Sequence, residues 1–420
     1  MSHREYLFSL EQLGIKLGLA QMRALAGQLG RPEQAFRSII VAGTNGKGSV
    51  TAIVDHALRA AGYRTGRYTS PHLVDLEERI AIDGRPIARG TLEDVAGRVR
   101  EAAGHLPAPP SFFEATTAVA LEAFRDAAVD VAVLEVGLGG RLDATNVADA
   151  VAAAMTSIDF DHEAHLGHTL EDISREKAGV TRRGAAAVLG RNPQVVREVI
   201  RRHCERIGAR FVYAPDSITL DVVMSEGAAR ISLVTPHGSY EDVTLGLRGR
   251  HQVDNAVTAV RLLEDLSAHG TLPVGPHAIR TALEDVHWPA RLELLTWRGH
   301  DVLLDGAHNP AGARALTSYL DETYRRPLPL VVAAMRDKNL TELIRALLPA
   351  ASHVVFTAPA TPRAASPAEL LALSATLGTR VPCLAIDAPG DALAHAVTLG
   401  QPAVVAGSLF LAGEIRAEIS

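Results

Sequence analysis

The sequence predicts an α/β protein built as two successive domains, and three observations carry the prediction. Apolar runs bounded by glycine alternate with helix-like amphipathic segments along most of the chain, which is the pattern of a largely parallel sheet covered by helices. With 420 residues at 47% hydrophobic composition, the chain exceeds one ordinary core and supplies apolar material for two. The alternation breaks once, at His287-Trp288-Pro289, and then resumes. Residues 1–288 are therefore assigned to a first domain, and residues 289–420 to a smaller, Rossmann-like α/β domain.

The elements follow in order. Ser38 to Ala42 (S-I-I-V-A) is a buried strand feeding a glycine-rich loop, and Ser49 to Ala61 is the helix after it. Further strands are expected at Val131 to Val136 and Val151 to Ile158. Each runs into polar or glycine-rich residues, so the polar ends converge on the sheet edge where open α/β folds hold ligands. From Ser217 to Leu247 the period shortens, as in A-R-I-S-L-V, and a small antiparallel patch is expected. Helices follow at Gln252 to Leu266 and Gly275 to Leu283. Beyond the break, strands are expected at Val302 to Leu304, Leu330 to Ala334, His353 to Thr357, Cys383 to Ile386 and Ala403 to Ala406.

Composition narrows the function. The net charge is only −6 and the basic residues are dispersed, so the electrostatic footprint of a nucleic-acid binder is missing. There is no uninterrupted apolar stretch of membrane-spanning length and no signal-peptide pattern, which points to the cytoplasm. The two cysteines, Cys204 and Cys383, match no metal spacing and are expected as buried small hydrophobes of a reduced protein. Small-molecule partners are the natural expectation.

The chemistry begins at V-A-G-T-N-G-K-G-S-V, Val41 to Val50. Gly43, Gly46 and Gly48 allow a tight turn that aims N–H groups at an anion, the following helix adds its dipole, and Lys47 adds a charge. A strand before it and a helix after it favour a phosphate loop over a chance glycine turn, with a nucleoside triphosphate as ligand. The first domain is thus expected to be a P-loop ATP-binding domain with a mostly parallel sheet. Gly48 stands where such loops place a metal-binding hydroxyl, so the metal ligands have to come from elsewhere. Three strand ends offer them: Thr69-Ser70-Pro71-His72, Glu135, and Asp159 to His162. A carboxylate in an apolar strand is rare unless paired or metal-bound, which makes Glu135 the most informative. A serine before proline, and Asp159 or Asp161, serve equally as caps, and Arg141 with Asp143 can close a polar turn. The segment H-E-A-H-L-G-H, His162 to His168, does not have the spacing of a zinc helix, so His165 and His168 are read as surface or supporting groups. In the second domain, Asp305, His308 and Asn309 of D-G-A-H-N-P cluster at a strand end, either as a ligand contact or as a helix cap.

Taken together, these segments resemble the folylpolyglutamate synthase and dihydrofolate synthase family, a branch of the Mur ligases. The resemblance rests on G-T-N-G-K-G-S, T-S-P-H-L, S-F-F-E, E-V-G-L-G-G-R-L-D-A-T-N, D-F-D-H, L-G-H-T-L-E-D-I-S-R-E-K-A-G, G-R-H-Q-V-D-N-A, P-A-R-L-E and D-G-A-H-N-P, in that order over nearly the whole chain. It implies that Gly43, Thr44, Asn45, Gly46, Lys47, Gly48 and Ser49 bind ATP, with Asn255 on the adenine and Arg291 and Asp305 on the nucleotide from the second domain. His308 is implied beside the phosphates. Ser70, Glu135 and His162 are implied as Mg²⁺ ligands, and Lys177 as a carbamylated lysine holding a second Mg²⁺; an ordinary helix-surface lysine is the alternative. The pteridine substrate is implied near Leu17, Gly18 and Leu19, near Ser111, Phe112, Phe113 and Glu114, and near Leu142, Asp143 and Ala144. Where the family has P-G-R this chain has P-A-R, which leaves Arg291 in place. The implied reaction joins L-glutamate both to dihydropteroate and to reduced folates, with tail extension of reduced folates alone as the alternative, by phosphorylating the carboxylate and then displacing phosphate with the glutamate amine. Lys47, Lys177, Asp305 and His308 are the implied catalytic set, domain closure around ATP is expected, and so is a monomer. A murein-type ligase or a P-loop kinase or switch are the competing readings.

Overall fold

The computed structural model describes residues 2–14 and 16–419. Its contacts group the chain into two units. The first runs to Asp221 and adds Ile231–Val243 and Asp254–Val286; the second takes Val222–Arg230, Thr244–Val253 and the chain from His287 onward.

The first unit is organised by an eight-stranded sheet: β1 (Arg37–Ala42), β2 (Thr65–Tyr68), β3 (Ile80–Ile82), β4 (Arg85–Pro86), β5 (Val131–Glu135), β6 (Ala150–Met155), β7 (Ala186–Leu189) and β8 (Arg210–Tyr213). The order is β4-β3-β2-β5-β1-β6-β7-β8. All neighbours are parallel except β2–β3 and β3–β4. Covered by helices on both faces, the central strands have no polar side, and so Ile39 to Ala42 and Val131 to Leu134 are fully buried apolar runs. The chain leaves β1 for β2 on one side of it and passes from β5 to β6 on the other. β1 therefore marks the point where strand order reverses, and ligands of such sheets bind beyond the carboxyl ends there. The register pairs Val41 with Glu135 and Ala42 with Met155, which brings those ends to one edge.

Most element boundaries shift by a residue or two from the sequence reading, and two of the shifts bear on the site. The helix Lys47–Ala60 starts two residues early, directly on the glycine loop, and β6 ends at Met155, which frees Thr156 onward. Strands at Thr65–Tyr68, Ile80–Ile82, Arg85–Pro86, Ala186–Leu189, Arg210–Tyr213 and Glu293–Trp297 were not anticipated; most are short, and several mix polar residues into the run that would mark a buried strand.

The short-period region forms strands β9 (Thr219–Ser225), β10 (Ala228–Val234) and β11 (Ser239–Thr244), in the order β11-β10-β9. In the second unit, β12 (Glu293–Trp297), β13 (His300–Leu304), β14 (Leu328–Val332), β15 (Ala351–Phe356), β16 (Cys383–Ala385) and β17 (Ala403–Ala406) are ordered β12-β13-β17-β14-β15-β16. Only the β12–β13 hairpin is antiparallel. Side chains alternate across this sheet, so Leu303, Leu330, Val332 and Phe356 enter one core while Val302, Leu304, Val331 and Val355 enter the other. Cys204 is buried as expected, but Cys383, on the sheet's edge strand, is only partly covered.

Candidate active site

The glycine loop is fastened from below by the strand end next to it. Thr156, just past β6 and buried, donates its hydroxyl to the Asn45 carbonyl at 2.6 Å. The Thr44 hydroxyl donates to the Asp159 carbonyl and accepts the Asp159 N–H, both at 3.0 Å. Gly43 and Gly46 are both left-handed, at φ 145° and 87°. A Cβ on Gly43 would collide with the Thr156 hydroxyl, and one on Gly46 with the Asn255 amide. The loop is thus a fixed shape, with the N-terminus of the helix Lys47–Ala60 at its end. Lys47 Nζ donates to the Thr44 carbonyl at 3.0 Å. Asn255 belongs to the helix His251–Ala268, and its amide lies against the loop.

Glu135 is the last residue of β5 and is buried. Its carboxylate accepts the Ser70 N–H at 3.2 Å, which brings together two residues that the sequence placed on separate strand ends. Lys177, on the helix Leu170–Ala178, is also buried and donates Nζ to the Gly43 carbonyl at 2.8 Å. Burial, and then the charge of Lys47, push its pKa down to about 7, against the opposing pull of Asp161 and Asp143. His162 is left-handed at φ 51°, caps a short helix, and holds Nε2 3.9 Å from Asp161 Oδ1. His165 and His168 are exposed, in agreement with the surface reading. Among the described residues no group of three or more His, Cys, Asp or Glu side chains is able to hold a metal by itself.

The segments assigned to the pteridine also come together in part. Gly18 N–H reaches the Leu142 carbonyl at 3.4 Å, which joins Leu17 to Leu19 with the 142–144 turn. Leu17 is exposed. Asp143 is buried and accepts from Leu138 N (2.8 Å), Thr145 N (3.0 Å) and Thr145 Oγ1 (2.6 Å), while burial raises its pKa. Ala144 opens the short helical turn that Asp143 caps. Ser111 and Glu114 form a reciprocal capping box on the helix Phe112–Asp126. Phe112 and Phe113 are thus helical, and they face different neighbours. Phe112 stacks on Phe8 at 5.9 Å with the Arg79 guanidinium 5.0 Å from its ring, whereas Phe113 packs on Tyr68 at 5.9 Å.

In the second unit, Asp305 follows β13 and is buried. It accepts the Leu292 N–H at 3.0 Å and the Ala307 N–H at 2.9 Å; burial raises its pKa, and Arg291 opposes the rise. The cap of the helix Pro310–Tyr324 is Asn309, which accepts Gly312 N–H at 2.8 Å, so Asp305 has another task. His308 Nδ1 lies 2.8 Å from the Gly306 carbonyl; a carbonyl only accepts, so Nδ1 carries the proton and Nε2 faces away from that bond. Arg291 NH1 donates to the Ala290 carbonyl at 2.8 Å. Sequence reasoning missed Thr156 and also Asn192, which accepts Ile158 N–H and donates to the Thr156 carbonyl. Nothing in a lone threonine or asparagine announces such support.

Comparison with known proteins identifies the family. The Mur ligase middle domain matches residues 101–263, and the Mur ligase glutamate ligase domain matches residues 290–409. The dihydrofolate synthase/folylpolyglutamate synthase of Bacillus subtilis is 34% identical over 374 residues, covering 86% of this chain and 85% of that protein. The structure of Mycobacterium tuberculosis folylpolyglutamate synthase complexed with ADP superposes with a TM-score of 0.91 at 33% identity, covering 100% of this chain and 99% of that one. Escherichia coli FolC in complex with DHPP and ADP gives 0.89 at 30% identity, covering 100% and 98%. The chain belongs to the folylpolyglutamate synthase/dihydrofolate synthase family of Mur-type ligases.

Proposed function

We propose that the protein uses ATP to join L-glutamate to dihydropteroate and to reduced folates by way of an acyl phosphate. The observation that carries this reading is the glycine loop with Lys47, set beside the buried Glu135 carboxylate and its Ser70 partner at the point where strand order reverses. The ADP held by the Mycobacterium tuberculosis protein, and the DHPP and ADP held by the Escherichia coli protein, support the two ligand classes.

The loop amides and Lys47 bind the β- and γ-phosphates and offset the charge that builds up as the phosphoryl group moves to the carboxylate. Asn255 lies against that loop and is assigned to the adenine. In the second unit Arg291 and Asp305 are assigned to the nucleotide, and His308 to its phosphates. Attack on the acyl phosphate by the glutamate amine needs no nucleophile from the protein; orientation supplies much of the rate.

The donor set suits Mg²⁺. The Ser70 hydroxyl and the Glu135 carboxylate are hard oxygen ligands, and a site with few protein ligands fits an ion that keeps water and takes phosphate oxygens. His162 is the third assigned ligand. When bound, Mg²⁺ supplies Lewis-acid charge neutralisation to the phosphates. A pKa near 7 keeps a large share of Lys177 as the free amine at neutral pH. Attack of that amine on CO₂, with loss of one proton, yields a carbamate with the oxygen ligands for a second Mg²⁺. Leu17 to Leu19, Leu142 to Ala144 and the Phe112 face are assigned to the pterin.

The test is mass spectrometry of products after incubation with Mg-ATP and L-glutamate, in parallel with 7,8-dihydropteroate and tetrahydrofolate. We expect one glutamate added to the first and one or more to the second. Addition to tetrahydrofolate alone would restrict the enzyme to tail extension, and ATP turnover independent of glutamate would overturn the ligase reading.

A further inference from the structure

The turn that presents Arg291 is built in an unusual way. Ala290 and Leu292, on either side of Arg291, are both left-handed non-glycine residues, at φ 52° and 50°. Such a conformation persists only where its surroundings impose it. Two carboxylates do so here. Asp305 takes the Leu292 N–H at 3.0 Å, and Glu293, the first residue of β12, folds back to take the Ala290 N–H at 2.8 Å. Glu293 is itself buried, and Arg416 of the C-terminal helix Leu409–Ile419 grips it through Nε, at 3.3 and 3.2 Å from its two oxygens. His287 Nε2 stands 3.7 Å from the same carboxylate. The Ala290 carbonyl accepts both Arg291 NH1 and the Gly306 N–H at 2.8 Å, and a Cβ on Gly306 would collide with that guanidinium.

We infer that Glu293, clamped by Arg416, is a positioning residue that imposes the left-handed turn and thereby aims Arg291 at the nucleotide. Glu293 opens the hairpin in register with Leu304, directly before Asp305, so the two carboxylates that hold the turn come from paired strands. A buried carboxylate held by an arginine and turned onto the Ala290 N–H makes sense if the shape of that turn matters. The inference rests on the assignment of Arg291 to ATP, and the experiment separates the two.

Steady-state kinetics with varied ATP are measured for Glu293→Ala, Arg416→Met, Arg291→Ala and the double variant Ala290→Gly/Glu293→Ala, with thermal midpoints recorded for each. Glu293→Ala is expected to raise the KM for ATP about tenfold while kcat changes less than about threefold, and Arg416→Met to do the same more weakly. Glycine adopts the left-handed conformation without help, so Ala290→Gly is expected to restore most of the KM lost by Glu293→Ala. A lowered thermal midpoint with unchanged KM, while Arg291→Ala raises KM, would overturn the positioning role and leave a purely structural clamp. An unchanged KM in Arg291→Ala would overturn the nucleotide assignment, and the inference with it. If Glu293→Ala does not fold, Arg416→Met and Glu293→Gln decide the question in the same way.

Discussion

Lys177 is a cationic side chain in surroundings that disfavour charge. Its folded pKa of about 7 lies well below the ordinary lysine value of 10.5, so between those limits the unfolded chain binds more protons than the folded one. Stability therefore rises as pH climbs through that window, and the buried charge is most costly below pH 7. In buffer stripped of CO₂ we expect Lys177→Met to be more stable than the wild type at pH 6, with the gap closing towards pH 10; urea melts across that range check it, and a gap independent of pH would contradict the assigned cause. The same variant is expected to lose on the order of 10²-fold in kcat if Lys177 serves catalysis. Wild-type activity in stripped buffer is expected to recover on adding bicarbonate, and the variant's is not. Thr156 offers a milder probe at this scale. Thr156→Val removes the donor to the Asn45 carbonyl and is expected to cost about 1 kcal/mol of stability, together with a several-fold rise in the KM for ATP; equilibrium unfolding and kinetics report the two separately.

Among the elements, the helix Phe112–Asp126 shows how one residue pair invites two readings. Ser111 and Glu114 lie in the segment that family resemblance assigns to substrate, yet each satisfies a backbone N–H of the other. Ser111→Ala is expected to lower stability by about 1 kcal/mol, as loss of a cap does. A KM for dihydropteroate unchanged in that variant would confine the pair to capping. The central strands β1, β5 and β6 and the phosphate loop were legible beforehand because their physics is local. A parallel strand buried on both faces reads as an apolar run, and a loop that wraps an anion needs glycines at set positions. The supports of the site were not legible because they act across the chain: Thr156 reaches a carbonyl 111 residues away, and Arg416 a carboxylate 123 residues away. A Cys-rich or zinc-like spacing would have shown itself; a threonine at a strand end looks like any other. The local departure P-A-R was visible in the sequence, but its meaning was not. Only the φ of Ala290 shows that the alanine sits where glycine would be at ease.

At the scale of the molecule, the second unit is not one continuous stretch. It includes Val222–Arg230 and Thr244–Val253 besides the chain from His287. Gly227 lies so close to the Tyr319 ring that a Cβ there would collide with it, and Arg250 pairs with Glu322. A fragment beginning at His287 therefore loses part of the cover over the helix Pro310–Tyr324. We expect it to fold but to melt below the corresponding transition of the intact protein, as calorimetry would show; equal midpoints would mean that the two inserted segments contribute nothing. The placement of the cysteines has a practical side as well. Cys204 is sealed in the core with its thiol pushed up to about 12, whereas Cys383 sits partly uncovered on an edge strand of the second unit. Toward a thiol-directed dye the native enzyme is expected to react at Cys383 alone, and slowly, because burial raises that thiol's pKa as well. Mass spectrometry of the labelled protein checks this, and a single fluorophore there would report on the smaller unit, which carries Arg291.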